Sequence, residues 1–355
     1  MTSYRSSVRG IKLWLGLLLG AVCLWLALRG INWGEVLGSW AQLKVAPILG
    51  IFLMMVATHW FRARRWGVLL RHLRRVGLLE LFAINAVGFL SIHLFPFRLG
   101  EFTRPLLLKR RQQVSMSTGM ACVAIERVFD GLVAVGLLFV GMISIPKGQG
   151  EMSFLPVGVH ALAISALLIF VPTLIFLLLA ITQRDRALRV CDFCLRAVPA
   201  RFRRRIREIV ENFFEGLRSL PNLWSFLWIL FESLGVWGVM IVAYWLGLRA
   251  FGLDLPWGAP FCILGISAIG VMIPGPPGFV GTYQLFMQAS LSLFGVSRSV
   301  GLAYSLVMYA INMIYVTGAG LAFAPFLATP VRNLYTEAAT ERDAQPQSQC
   351  EPPLV

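Results

Sequence analysis

Six charged side chains form two short clusters in a chain otherwise built of apolar runs. Arg98, Glu101 and Arg104 are spaced by three, so on a helix opening near Pro96 they share one face. Glu126 and Asp130, at i and i+4, share a face of a later helix, with Arg127 three residues before Asp130. Glu232 stands about ten residues into another apolar run. Charges at such depth in an apolar segment are costly and face the interior of a helical bundle. Three kinds of chemistry suit them. The carboxylates and guanidinium groups can neutralise one another and pin a half-helix in place. The guanidinium groups can offer their planar fork to a phosphate. Glu101 or Asp130 can act as the general base of an intramembrane transferase.

A second stretch of interest carries no charge. Pro274-Gly275-Pro276-Pro277-Gly278 breaks an apolar run, and Gly281, Thr282, Tyr283 and Gln284 open the next. A helix starting there would point free backbone N–H groups and its positive dipole end into the apolar layer, which suits an anionic group such as a lipid phosphate. Thr282 is also a candidate helix cap.

The elements that must position these residues follow from composition. Of 355 residues, 57% are hydrophobic and 14% charged, and the mean hydropathy is +0.74. A soluble domain is nearer half apolar and a quarter charged, so this is an integral membrane protein of all-α class. Runs long enough to cross lipid occur near 11–28, 45–61, 119–145, 155–182, 223–248 and 299–328. The first is flanked by Arg5, Arg9 and Lys12 but lacks a small-x-small cleavage site, so it reads as a retained helix. The net charge of +15 comes from basic clusters between the runs, the pattern of cytoplasmic loops, and it does not point to nucleic acid.

Arg62, Arg64, Arg65, Arg71, Arg74 and Arg75 place the end of the second run in the cytoplasm, and ten arginines between Arg184 and Arg218 do the same for the fourth. Basic residues on both sides of the apolar segment 76–97 predict that it enters and turns back at Pro96 and Gly100, as a re-entrant hairpin over about 76–111. A second hairpin over about 258–296 has flanks poor in basic residues and should dip in from the opposite face. The expected architecture is about six transmembrane helices plus two re-entrant helical hairpins in an inverted repeat, the pattern in which a mid-membrane site lies between broken helices. Eight ordinary crossings are the alternative. A weak internal echo supports the repeat: Ser115 precedes Arg127 by 12 residues, as Ser297 precedes Tyr309.

Other motifs carry less. Cys191-x-x-Cys194 is a lone pair without a companion histidine, so neither zinc nor redox chemistry is expected there, and six cysteines imply no disulfide framework. His93, just before the first break, is a candidate for lining a groove. Gly16-x-x-x-Gly20 reads as a helix packing contact. Residues about 200–220 pattern as a basic amphipathic helix on the cytoplasmic surface, or equally as a connecting helix under the bundle. The polar tail 331–355 should be disordered.

The patterns FRLGEFTRPLLL (97–108), SMSTGMACVAIERVFD (115–130) and PGPPGFVGTYQL (274–285) with LSLFGV (291–296), together with RARRW (62–66), resemble the lysylphosphatidylglycerol synthase transmembrane family, the flippase-like domain at the front of the multiple peptide resistance factor. The resemblance covers roughly residues 10–330. It implies a flippase-like domain over 1–330 that moves polar-headed phospho- or glycolipids between leaflets, with N- and C-termini in the cytoplasm and the chain in the inner membrane. It places Arg98, Glu101, Arg104, Glu126, Arg127 and Asp130 on the family's charged positions. Gly278, Gly281, Thr282, Tyr283, Gln284, Tyr309 and Glu232 complete the expected substrate-binding set. The family pattern has a glutamate about where Gln284 stands and an arginine about where Tyr309 stands, so the second half lacks an ion pair here, which bears on the headgroup. Only a polar tail follows the membrane part, so lysyl transfer is not expected, and with no Gly-rich nucleotide loop or metal-binding acidic motif in the sequence neither an enzyme, a metal nor a cofactor is expected. Membrane lipids with an anionic or phosphate-bearing headgroup are the expected partners, without nucleic acid. A separate lipid synthase or glycosyltransferase is the further partner if the chain only presents lipid to an enzyme.

Overall fold

The computed structural model describes residues 16–71, 74–146, 158–182, 189, 223–272 and 276–327. Among these residues every element is helical. In chain order they are α1 (Gly16–Leu28), α2 (Trp33–Ala41), α3 (Val45–Leu70), α4 (Leu78–Leu94), a 3₁₀ turn (Pro96–Phe102), α5 (Thr103–Gln112), α6 (Met116–Met142), α7 (Val159–Thr182), α8 (Leu223–Ala250), α9 (Ala259–Met272), a second 3₁₀ turn (Pro277–Phe279), α10 (Thr282–Ser292) and α11 (Arg298–Phe323). The C-x-x-C pair, the basic segment 200–220 and the tail 331–355 lie outside the described residues.

Helices α3, α8 and α11 are long and apolar enough to cross a membrane, each spanning roughly 39–42 Å at 1.5 Å per residue. Helices α1 and α2 form a further apolar pair bent by 82°. The bend falls where Gly30 takes φ 71° and Asn32 caps α2, its side chain accepting from the Gly34 and Glu35 amides. Helix α6 has 27 residues but carries Glu126, Arg127 and Asp130 at its middle. Exposed Leu49, Phe52 and Leu53 on α3, Leu168 and Ile169 on α7, and Phe231 and Leu234 on α8 would be untenable in water, and they face the lipid of a multi-pass membrane protein.

Helix α4 is apolar all round, and its run Ala83–Ile92 is buried throughout. It packs against α3, α11, α5 and the first 3₁₀ turn, so its sequence shows no polar stripe because it has no solvent side. The 3₁₀ turn lies directly on α4. A Cβ at Gly100 would collide with the backbone of Ser91 and Ile92, so only glycine permits the approach.

The order helix, 3₁₀ turn, short helix, long helix occurs twice, over 78–142 and 259–323. Both long helices open on a serine cap of the same geometry. Ser115 accepts from the Thr118 amide at 3.1 Å with φ −61° and ψ 148°, and Ser297 accepts from the Val300 amide at 3.2 Å with φ −61° and ψ 153°. The Ser115/Ser297 echo in the sequence therefore marks equivalent helix starts. The two 3₁₀ turns touch each other, so the two breaks meet inside the fold. Helix α1 covers the second break: Gly20 lies against Pro276, and Gly281 against the backbone of Gly20 and Leu24.

Candidate functional site

Helices α3, α5 and α6 bring five arginines and three carboxylates together with the first 3₁₀ turn. At the centre, Arg65 reaches both carboxylates of α6, at 2.8 Å from Glu126 and 2.6 Å from Asp130, because i and i+4 place those two on one face. Arg104 joins Glu126 at 2.8 Å and Asn85 at 3.2 Å. The Trp66 indole donates to Glu126 at 2.6 Å, the Trp237 indole to Asp130 at 3.2 Å, and Arg65 to Ser233 at 3.0 Å. Arg65, Arg104 and Glu126 are 0% exposed. Charge pairing is what makes such burial tolerable, although Arg65 Nε and Arg104 Nε and Nη2 are buried without a hydrogen-bond partner.

The outer layer is more open. Arg98 takes φ 58°, an uncommon conformation for a side-chain-bearing residue, and pairs with Glu101 at 2.9 Å. Arg127 bridges three carboxylates: Glu126 at 2.8 Å, Asp130 at 3.3 Å and Glu101 at 4.0 Å. Arg62 differs from its neighbours. Its guanidinium rests over the Phe89 ring at 4.2 Å and 4.0 Å from the Met240 sulfur, without a carboxylate among the described residues. Five cations here face three anions, and the excess is concentrated at Arg62 and the outer arginines.

Arg62, Arg98, Arg127 and Asp130 line a cavity of about 200 Å³. Its opposite wall comes from the second half: Tyr244, Tyr283, Tyr309, Asn312 and the Gly278–Phe279 turn. Tyr244 and Tyr283 hydroxyls lie 3.4 Å apart, and the Tyr283 and Tyr309 rings 5.8 Å. His93 lines the same space, its Nδ1 2.8 Å from the Phe89 carbonyl and its Nε2 3.3 Å from Asn312. His59 Nε2 is buried there with no partner. Asn312 stands to Ser297 as Asp130 stands to Ser115, so corresponding positions of the two long helices face one cavity, one charged and one neutral.

Of the residues singled out in the sequence, Arg98, Arg127, Asp130, Gly278, Tyr283 and Tyr309 line the cavity. Glu101 holds Arg98 and Arg127 from behind. Glu126 and Arg104 form the buried layer beneath, so Arg104 does not share the face of Arg98, because the turn at Arg98 rotates the chain between them. Gly281, Thr282 and Gln284 shape the helix start instead. Gly281 takes φ 88°, its amide donates to the Gln284 side chain at 2.7 Å, and Thr282 donates to the Phe279 carbonyl at 3.0 Å. The Gly281 amide is thus already engaged and is not free for an anion. Glu232 is elsewhere, paired with Arg64 at 2.9 Å.

Arg62, Arg65, Trp66 and Trp237 were not foreseen at the site. The basic run 62–75 suggests a helix end at 61, but α3 continues to Leu70 because Arg65 and Trp66 turn inward onto α6. The available signal was stoichiometric: carboxylates buried in α6 need cations from another helix, and RARRW is next to a span.

A family model described as "Lysylphosphatidylglycerol synthase TM region" matches residues 13–320. A protein named Glycosyltransferase AglD from Haloferax volcanii is 25% identical over 95% of this chain, which spans 58% of that relative's length. Two proteins of Methanothermobacter thermautotrophicus, each named UPF0104 membrane protein, are 24% and 25% identical, covering 87% and 75% of this chain and 90% and 81% of their own. No solved structure matches.

Proposed function

The chain belongs to the lysylphosphatidylglycerol synthase transmembrane family, and from that premise we propose that it moves phosphate-bearing lipids between leaflets. The headgroup passes through the cavity between the two broken segments while the acyl or prenyl chains stay in lipid. The observation that carries this reading is Arg62, a cation facing the cavity that touches a ring and a sulfur and forms no ion pair among the described residues. A guanidinium so placed has its fork available, and a phosphate would both pair with it and cancel the excess positive charge of the cluster. The tyrosines and Asn312 opposite suit the uncharged remainder of the headgroup, with hydroxyls and ring faces rather than ions. On this reading the chain makes and breaks no covalent bond. The two broken segments dip in from opposite faces of the inner membrane, with both termini cytoplasmic.

Purified protein in liposomes should move a fluorescent phospholipid across the bilayer, and Arg62→Ala should slow it while the protein stays folded. Equal transport of a phosphate-free glycolipid would sink the proposal, as would conversion of the lipid into a new species. A second reading is supported by the relative named as a glycosyltransferase, of which this chain matches only part: the chain presents lipid to a separate enzyme. Recovery of a lipid-modifying enzyme with the protein, together with background translocation, would favour it.

A further inference from the structure

A second cavity, of about 350 Å³, lies away from the charged cluster, between the end of α3, the start of α4 and the first turns of α8. Three kinds of side chain meet there. Glu232 is 1% exposed; its Oε1 is held by Arg64 at 2.9 Å, and its Oε2 is buried with no hydrogen-bond partner. Arg71, exposed, stands on the rim, and Trp224 and Trp228, edge to face at 6.0 Å, flank it. Val68, Val76 and Leu81 supply apolar wall.

Each group limits the occupant. A buried carboxylate oxygen without a partner calls for an N–H or O–H donor, and a cationic donor offsets its charge best. Arg64, its side chain 42% exposed and screened by solvent, compensates Glu232 only in part, and Arg71 adds a further positive charge, which suits a phosphate. Trp224 is exposed and Trp228 half-buried, and tryptophans so placed sit at headgroup depth in a bilayer, their rings against the interface. A donor cation and a phosphate in one molecule, over an apolar wall, describe one class of ligand. We propose that this cavity is a binding site for an aminophospholipid, with the primary ammonium on Glu232 Oε2 and the phosphate on Arg71. A volume of about 350 Å³ is at the lower end for small-ligand pockets and admits a headgroup without its chains. The proposal is independent of the transport reading, since none of these residues lines the first cavity.

The test is quenching of tryptophan fluorescence by lipids brominated near the headgroup, with the full chain in nanodiscs. Subtracting the signal of a Trp224→Phe/Trp228→Phe variant isolates the two reporters. Brominated phosphatidylethanolamine should quench them at a several-fold lower mole fraction than the phosphatidylcholine of the same chains, because a quaternary ammonium has no N–H to donate. Glu232→Gln should abolish that preference. Arg71→Ala should weaken quenching by both lipids and leave the preference, which keeps the proposal open to test if the first variant fails to fold. Equal quenching by the two lipids, stronger quenching by phosphatidylglycerol, or a preference that survives Glu232→Gln would each overturn it.

Discussion

Arg65 grips Asp130 with both ends of its guanidinium, Nη1 2.6 Å from Oδ1 and Nη2 3.3 Å from Oδ2. The same side chain reaches Glu126 one turn away at 2.8 Å, so a single residue of α3 fixes the height of α6. A lysine has one charged atom and cannot reproduce this planar fork.

Arg65→Ala should therefore cost about 3–5 kcal/mol, the range for breaking a buried pair and leaving its partner uncompensated. Arg65→Lys should recover less than half of that. Thermal unfolding in detergent measures both, and a wild-type midpoint for the lysine variant would show that the fork is unimportant.

Arg62→Ala should leave the midpoint of unfolding within a degree or two, since no ion pair is lost. A charge-assisted contact to the ligand is worth about 1.5–3 kcal/mol, so transport of a phospholipid should fall roughly 10- to 100-fold. Liposome assays at matched protein density check this, and an unfolded Arg62→Ala would mean that Arg62 supports the fold rather than the ligand.

Gln284→Leu should destabilise by about 1–3 kcal/mol, because the Gly281 amide would be buried without an acceptor. Gln284→Glu keeps the acceptor oxygen and should be milder. If either variant instead changes lipid selectivity at unaltered stability, the assignment of Gln284 to the helix start is wrong.

Gly100→Ala should be poorly tolerated, since its methyl would meet the backbone of α4 rather than a movable side chain. Overpacking of this kind costs about 1–3 kcal/mol. Gly136→Ala, at a glycine with open space around it, is the control and should be near neutral.

Much of this was legible in the sequence, for identifiable reasons. The spacing of Glu126, Arg127 and Asp130 on an apolar helix, and the proline and glycine breaks, are local patterns with local physical meanings, and the fold retains them. The equivalence of Ser115 and Ser297 was visible because a serine cap lies at a fixed distance from what it caps. A basic run after a span reads as a loop, and only tertiary contacts turn Arg62 and Arg65 inward, Arg65 by pairing with α6 and Arg62 by resting on Phe89 of α4 and Met240 of α8. By type Glu232 groups with the other carboxylates, but its partner Arg64, next to Arg65 on α3 and about 100° round the helix at 3.6 residues per turn, holds it in a different cavity. Gln284 and Thr282 looked like ligands because polar residues at a helix start serve caps and anions alike.

The soft seat of Arg62 has a kinetic consequence. A ring face and a sulfur hold a guanidinium loosely, so a ligand that takes hold of it need not first tear open an ion pair, and one that departs returns it to the same ring and sulfur. Entry and exit then face similar, modest barriers. In the proposed cycle, the weak hold on Arg62 favours rapid turnover over long residence, which is what separates a carrier from a trap.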